Sequence, residues 1–125
     1  MELTPVVYIF MNKSLQMSAG KLSAQSAHAM AMVDVFYDNW GKYPHRTILI
    51  MEARDEAHIN NIEQYLKERE VKTHKIIDEG VNEIDPHSVT ALATEVRWKD
   101  EHIDKIMSTF KLYRDKVKLS IEVDR

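Results

Sequence analysis

The chain has 125 residues, of which 44% are hydrophobic, and its formal net charge at pH 7 is −3. This length suits one domain with a single core over residues 1–125, and the absence of cysteine excludes disulfides, thiolate nucleophiles and cysteine-bound zinc. No run approaches the roughly 18 apolar residues of a membrane span and the net charge argues against broad nucleic-acid binding, so we expect a soluble cytoplasmic protein without membrane contacts.

The first half of the chain alternates strand and helix signals. Residues 6–11 form a short apolar run rich in β-branched and aromatic side chains, which is typical of a strand buried on both faces. Apolar residues at helical spacing predict a helix over about 18–39, after which a glycine and a proline mark its end. A second, fully apolar strand is predicted over 47–51, followed by Asp55 as the N-cap of an amphipathic helix.

The second half predicts two more strands and one more helix. Strands are expected over 73–77 and 89–94, and the short loop between them suits an antiparallel return better than a helical crossover. A third helix is predicted to begin after Asp100 and to run through Phe110. The order βαβαββα therefore predicts a layered α/β domain.

The last residues of the chain have a different pattern. Apolar and polar side chains alternate over 117–123, which is the period of a half-buried strand. Such a strand needs a sheet edge, and it could join its own sheet or that of another subunit. An ordinary edge strand or a frayed chain end is the alternative interpretation.

Polar side chains are grouped at the start of the first helix. Lys21, Gln25 and His28 fall at i, i+4 and i+7 and therefore project from one stripe of a helix that opens with Gly20. A lysine in the first turn opposes the helix dipole, which predicts an anionic partner nearby. We expect four small residues to let this helix pack closely against the element behind it: Ser23, Ala24, Ala27 and Ala31.

A second polar cluster follows the third strand. Asp78 is placed at the carboxyl end of that strand, which is where ligands bind in open α/β sheets. The loop that follows contains Gly80, where the backbone is permissive, and it ends near Ser88. We expect this loop and the start of the first helix to face each other across one crevice.

The two clusters resemble motifs of the type 2 peptidyl-tRNA hydrolases, a family found mainly in archaea and eukaryotes. Residues 17–29 are similar to the family signature M-x-x-G-K-x-A-A-Q-x-x-H-A. The loop is similar to the family's D-A-G-x-T-Q-I-x-P, and the matching residues are Asp78, Gly80, Ile84 and Pro86, with Thr90 in the next strand. Residues 103–113 resemble the closing helix, so the resemblance covers about 6–113 and leaves 114–125 as an extension.

The resemblance implies a three-layer α/β/α domain with a mixed four-stranded sheet, usually as a homodimer. Such an enzyme hydrolyses the ester between a peptide and the 3′ end of tRNA, binds the acceptor end, and requires no metal or organic cofactor. By position the family's functional residues fall on Lys21, Asp78, Asn82 and Thr90, and His28 matches a further polar position. We count four other residues as candidates for substrate binding: Gly20, Gln25, Gly80 and Ser88.

Ester hydrolysis needs a positioned water, a group that takes its proton and donors for the developing oxyanion. Asp78 is the candidate for orienting or deprotonating the water, through Asn82 or Thr90, and Lys21 with nearby backbone N–H groups would stabilise the oxyanion or the terminal phosphate. The residues alone leave simpler interpretations open. Lys21 and Asp78 could form a surface salt bridge, and Gln25 could bind the Asp78 loop or a nucleoside. His28 and Thr90 could be structural, and the histidine spacing predicts no metal site.

The sequence departs from the family pattern near the chemistry. Asn82 and Glu83 replace a threonine and a glutamine of the loop, and Asn12 and Ser14 replace an arginine and an aspartate after the first strand. These changes remove positive charge where a phosphate backbone would approach. They motivate a second hypothesis, a catalytically impaired module of the same fold that binds a tRNA end or a protein, and a third, a hydrolase of another small ester or amide.

Overall fold

The computed structural model describes residues 4–36, 45–79 and 84–114. Five strands and three helices follow one another in these ranges, and a short 3-10 turn, Lys13–Leu15, follows the first strand. The strands are β1 (Pro5–Asn12), β2 (Thr47–Ala53), β3 (Thr73–Asp78), β4 (Ser88–Thr94) and β5 (Arg97–Trp98). The helices are α1 (Ala19–Phe36), α2 (Glu56–Glu68) and α3 (Glu101–Met107).

The strands form one mixed sheet in the order β2-β1-β4-β3. β1 is parallel to β2 and antiparallel to β4, and β4 is antiparallel to β3, which confirms the predicted mixed sheet and the antiparallel return after the third strand. β5 was not predicted, and its two residues pair with the beginning of β1 through Trp98 opposite Pro5 and Arg97 opposite Val6.

Helices cover both faces of the sheet, so the predicted three-layer α/β/α architecture is confirmed. The side chains of β1 alternate between two apolar clusters. Val6, Tyr8 and Phe10 pack in the cluster that contains the buried residues of α2 and α3. Val7, Ile9 and Met11 pack in the cluster that contains the buried residues of α1. Because both faces of β1 are covered, all its residues are buried, as the apolar run predicted.

Each helix begins at a side chain that caps it. Ser18 Oγ accepts the backbone N–H of Lys21 at 3.1 Å, so α1 begins within one residue of the predicted start. Asp55 caps α2 as predicted, by accepting the N–H of His58 at 2.8 Å. Asp100 caps α3 in the same way. These caps satisfy N–H groups that a helix cannot bond internally.

The predicted end of the third helix was wrong. α3 ends at Met107. Phe110 lies outside the helix, in a turn in which its N–H donates to the Met107 carbonyl. The Phe110 ring packs edge-to-face on Phe10 and Tyr65, at centroid distances of 5.1 and 5.4 Å. An apolar residue three positions past a helix end can reach the same core through a turn, so spacing alone did not reveal the boundary.

The edge of β2 is covered over part of its length. Residues 111–113 run antiparallel to it, through the N–H of Tyr113 to the Ile50 carbonyl and the N–H of Glu52 to the Lys111 carbonyl, both at 2.8 Å. Ile48, nearer the start of this apolar strand, is 45% exposed. The predicted C-terminal strand over 117–123 lies outside the described residues. No helix in the described ranges is long and apolar enough to cross a membrane.

The packing face of α1 differs from the prediction. The four small residues expected to pack are all exposed: Ser23, Ala24, Ala27 and Ala31. Among residues 19–33 of α1, whose burial is described, the buried ones are Gln25, Ala29 and Val33, which are spaced four residues apart. The prediction was wrong because small residues tolerate either environment, so their size alone did not indicate which side of the helix faces the sheet.

Candidate active site

The carboxyl end of β3 and the first turns of α1 meet at one end of the sheet. β3 runs parallel to β1, because each is antiparallel to β4, and α1 follows β1 after a short connection. Lys21 Nζ lies 2.9 Å from Asp78 Oδ1, and the two side chains are only 9% and 11% exposed. Asp78 is thus an anionic partner for the lysine at the helix start, and the pair is largely shielded from solvent.

Two further polar side chains, those of Gln25 and Thr90, connect this ion pair to the protein interior through hydrogen bonds. Gln25 Nε2 donates to Asp78 Oδ1 at 3.2 Å, so this oxygen accepts from both Gln25 and Lys21. The hydroxyl of Thr90 lies 2.6 Å from Gln25 Oε1 and 3.2 Å from the carbonyl oxygen of Ile76. A glutamine amide that accepts at one end must donate at the other, so Thr90 orients Gln25 toward Asp78. We call these four residues the Lys21–Asp78 network: Lys21, Gln25, Asp78 and Thr90.

Burial makes this network sensitive to the loss of any member. Thr90 is fully buried and Gln25 is 5% exposed, so water does not readily replace a missing partner. Breaking one side of a buried ion pair is costly, at about 3–5 kcal/mol, because the other charge stays unpaired. A buried amide oxygen without its donor costs about 1–3 kcal/mol.

The backbone at the end of the segment between β3 and β4 is also hydrogen-bonded to Asp78. The N–H of His87 donates to the Asp78 carbonyl at 2.7 Å, and His87 has a φ of 64°. Pro86 precedes it in a turn closed by the N–H of Ser88 and the Asp85 carbonyl at 3.3 Å. A left-handed residue in the third position suits such a turn, so the turn fixes where the chain returns beside Asp78. This role of His87 was not predicted because glycine, not histidine, is the usual signal for a left-handed turn position.

Three further candidates that the structure describes, Gly20, His28 and Ser88, lie outside the network. The His28 side chain is exposed and makes no hydrogen bond or ion pair with a described residue, since it lies roughly 60° around the helix from Gln25. The Ser88 hydroxyl donates to the Asp85 carbonyl at 2.6 Å, within the turn. A Cβ added to Gly20 would meet only Ser18 Oγ, at 3.9 Å, among the described atoms. Three loop residues, Gly80, Asn82 and Glu83, lie outside the described residues.

The N-terminal turn of α1 presents backbone donors next to Lys21. The N–H groups of Ala19 and Gly20 make no hydrogen bond with another described residue, whereas those of Lys21 and Leu22 bond to Ser18. Donors of this kind at a helix N-terminus favour an anion. The residues that the structure describes contain no group of three histidine, aspartate or glutamate side chains that could hold a metal ion.

Residues 6–113 match the family model described as peptidyl-tRNA hydrolase PTH2. The chain belongs to this family. A peptidyl-tRNA hydrolase of Pyrobaculum aerophilum is 31% identical over 110 residues, which cover 80% of this chain and 90% of that relative. A solved structure of a protein of unknown function from Agrobacterium tumefaciens is similar in fold, with a TM-score of 0.62 and 18% identity. The similarity covers 90% of this chain and 100% of that one.

Membership of this family makes the chain a hydrolase with peptidyl-tRNA as its substrate. The family match runs from β1 to the segment beside β2, and it therefore includes every residue of the Lys21–Asp78 network.

Two residues that differ from the family pattern have a structural role in this chain. Asn12 is buried at the end of β1, and its Nδ2 donates to the Val89 carbonyl at 2.9 Å. Its Oδ1 accepts the backbone N–H of Ser14 at 3.0 Å and the Ser14 hydroxyl at 2.7 Å. Asn12 thus connects the end of β1 to β4 and caps the turn that leads to α1. An Asn-x-Ser sequence after a strand is a known turn signal that could have indicated this role.

Proposed function

We propose that the Lys21–Asp78 network carries out the hydrolysis of peptidyl-tRNA. The observation that carries the proposal is the shielded pair of Lys21 and Asp78, which joins the start of α1 to the end of β3 and is hydrogen-bonded through Gln25 to the buried Thr90. The pair combines an anion that can act on a water with a cation that can stabilise negative charge. These are the two requirements of ester hydrolysis.

Asp78 is the proposed group that orients or deprotonates the attacking water. Lys21 and Gln25 both donate to its Oδ1, and the Asp78 carbonyl is held by the N–H of His87, so the residue is fixed at both its side chain and its backbone. A water within about 2.6–3.2 Å of the carboxylate would meet the geometric requirement for proton transfer. Asn82, on the adjoining loop, is proposed to help position that water through its amide.

Lys21 and the first turn of α1 are proposed to stabilise the oxyanion. Lys21 belongs to the same first turn of α1 as Ala19 and Gly20, and a Cβ added to Gly20 would meet only Ser18 Oγ, at 3.9 Å, among the described atoms. A substrate carbonyl could therefore approach the helix closely at this point. Gly20 is proposed to bind substrate in this way, and each such donor is typically worth about 10²–10³ in kcat.

The other candidates fall into two groups. Gln25 and Thr90 are too deeply buried to reach a tRNA end, so they are proposed to position Asp78 rather than to contact the substrate. His28 is exposed on the same helix and is proposed to contact the acceptor end of the tRNA. Gly80 and Ser88 are proposed to shape the loop that faces it.

We further propose that the protein works in the cytoplasm as a homodimer. The exposed apolar side chains near both sheet edges support association, since Ile48 on β2 and Ile77 on β3 are 45% and 46% exposed. Light scattering of the full chain, and of a chain lacking residues 116–125, tests the dimer and the role of the tail. A monomeric mass for the full chain contradicts the dimer, and an unchanged mass after the deletion excludes the tail from the interface.

The hydrolysis is tested by following the release of the amino acid from N-acetylaminoacyl-tRNA. We expect release by the unchanged chain, and a loss of release in Asp78→Ala and Lys21→Ala. Asp85→Ala is the matched control, because Asp85 is an exposed aspartate of the same loop. Binding without release would favour the noncatalytic module, and Asn82→Thr would then test whether Asn82 is responsible. Release equal to that of Asp78→Ala contradicts the hydrolase assignment.

A further inference from the structure

A cavity lies far from the Lys21–Asp78 network, between the end of α2, β5 and α3. Its volume is about 720 Å³, which is in the size range of pockets for small molecules. Arg69, Arg97, His102 and Lys105 line it, with Tyr65 and Ile106 as apolar wall. We call this cavity the Arg97 groove.

The groove is at the opposite end of the sheet from the hydrolase site. Arg97 pairs with Val6 near the start of β1, whereas Asp78 is the last residue of β3, which runs parallel to β1. Along the strand direction, Arg97 and Asp78 are separated by about six strand residues, which corresponds to about 20 Å. The groove therefore cannot belong to the crevice in which the ester would be cleaved.

The two arginines of the groove are held in place by the fold. The Arg69 guanidinium lies over the Tyr65 ring, 3.5 Å from its centroid, and its Nη1 donates to the Tyr65 carbonyl at 2.9 Å. Arg97 Nη1 is 3.4 Å from the Glu70 carbonyl and 3.5 Å from Glu95 Oε2. A guanidinium has five N–H donors, so these contacts leave each arginine able to bind a further anion. Because both groups are already ordered, binding would cost less side-chain entropy.

α3 adds two more nitrogen-bearing side chains to the same groove. His102 and Lys105 are three residues apart, so both project from one face of the helix. Neither forms a hydrogen bond or ion pair through its side chain with a described residue. Arg69, Arg97 and Lys105 bring three positive charges to the lining and Glu70 brings one negative charge, while Glu95 pairs with Arg97 at 3.5 Å and Glu68 Oε1 lies 3.9 Å from Arg69 Nη1.

Glu70 is held in an unfavourable backbone conformation at the edge of the groove. It follows the end of α2 with a φ of 62°, where glycine is preferred. Its N–H bonds to the Lys67 carbonyl at 3.0 Å, and the N–H of Val71 bonds to the Leu66 carbonyl at 2.9 Å, which completes a Schellman motif. This conformation presents the Glu70 carbonyl to Arg97, so the strained residue helps to fix the guanidinium.

We propose that the Arg97 groove binds a ligand through its phosphate groups. Guanidinium and ammonium donors from three elements converge on a cavity larger than a single phosphate, and phosphate oxygens match the fork geometry of arginine. The ligand is either a small oligophosphate, such as the phosphate chain of a nucleotide, or the backbone of an RNA strand. Both ligands would bind through phosphate oxygens, and the experiment distinguishes between them.

The test is calorimetric titration of the full chain at low salt, with sodium tripolyphosphate as one probe and a short RNA duplex as the other. Lys105→Gln and Arg97→Gln are expected to weaken binding about tenfold each, because each removes a charge-assisted hydrogen bond. Lys67→Gln is the matched control, since Lys67 is an exposed lysine of α2 that does not line the groove. Glu70→Gln is expected to tighten binding several-fold, because it removes the one acid of the lining.

A misfolded protein would not bind the probe more tightly, so tighter binding by Glu70→Gln cannot result from misfolding. The test therefore remains decisive even if Arg97→Gln is unstable. Effects on tripolyphosphate identify a small ligand, and effects on RNA alone identify a backbone phosphate. The proposal is overturned if neither probe binds, or if the groove variants bind like the Lys67→Gln control. Hydrolysis of N-acetylaminoacyl-tRNA is measured with the same variants. Because binding and hydrolysis are measured separately, a negative result for phosphate binding does not refute the proposed hydrolysis, and a negative result for hydrolysis does not refute phosphate binding.

Discussion

Replacing Thr90 by valine removes one hydroxyl from the buried side of the Lys21–Asp78 network and changes little else. Valine has nearly the same shape and suits a strand, so β4 should keep its place in the sheet. Gln25 Oε1 loses the donor that lies 2.6 Å away, and an unsatisfied buried acceptor costs about 1–3 kcal/mol of unfolding free energy. Gln25 is then free to turn its amide away from Asp78, to which it donates at 3.2 Å.

The effect on the reaction should fall on kcat rather than on KM. Thr90 is fully buried and cannot touch the substrate, and misplacing a catalytic group by about 1 Å can cost about 10²-fold in rate. We therefore expect kcat of Thr90→Val to fall about 10- to 100-fold with KM nearly unchanged. Thr90→Ser keeps the hydroxyl and should restore most of the rate.

Thr94→Val is the matched control for Thr90→Val. Thr94 is equally buried on the same strand, and its hydroxyl oxygen accepts the N–H of Tyr8 at 3.0 Å, away from Asp78. Its loss should lower the free energy of unfolding, measured by urea denaturation, without changing kcat. If Thr90→Val loses stability but keeps the unchanged chain's kcat, or if Thr94→Val lowers kcat as much, Thr90 does not position the site.

Three predictions concern stability. Glu70→Gly should raise the free energy of unfolding by about 1 kcal/mol, because it relieves a left-handed conformation that costs ~1–2 kcal/mol; a loss of stability in urea would contradict the assigned strain. Asp55→Ala should lower it by about 1 kcal/mol through loss of the cap on α2, which Asp55→Ser should largely retain. Burial and the nearby Arg54 charge lower the pKa of His58 below 6.5, and its Nδ1 accepts the N–H of Arg54. As the pH falls, His58 is therefore protonated in the unfolded chain at a higher pH than in the folded one, and the free energy of unfolding should decrease as the pH drops below 6.5. His58→Gln should reduce this pH dependence, and an unchanged slope would exclude His58 as its source.

Much of the fold and the centre of the site could be predicted because the signals are local. The apolar run of β1, the antiparallel return between β3 and β4 and the Asp55 cap each follow from a few neighbouring residues. Lys21 opposes the dipole of its own helix, and Asp78 ends a strand, so each indicated that a partner was near. The structure places them 2.9 Å apart.

The features that were missed depend on tertiary contacts. The contact of Thr90 with Gln25 requires the packing of α1 on β4, and no pattern within either segment reveals it. The same packing buries Gln25 and leaves His28 and four small residues exposed, although Gln25 and His28 lie on one helical stripe. β5 has only two residues, too few for a periodic signal, and it exists because the start of β1 offers it a partner.

Single-turnover hydrolysis of N-acetylaminoacyl-tRNA at saturating enzyme tests whether Asp78 and Lys21 form the catalytic pair of this peptidyl-tRNA hydrolase. This measurement reports the chemical step without the contribution of product release. We predict that Asp78→Ala and Lys21→Ala each slow this step by about 10²-fold or more, while Asp85→Ala reacts at the rate of the unchanged chain. Equal rates for all four proteins, or no turnover by any, would contradict this assignment.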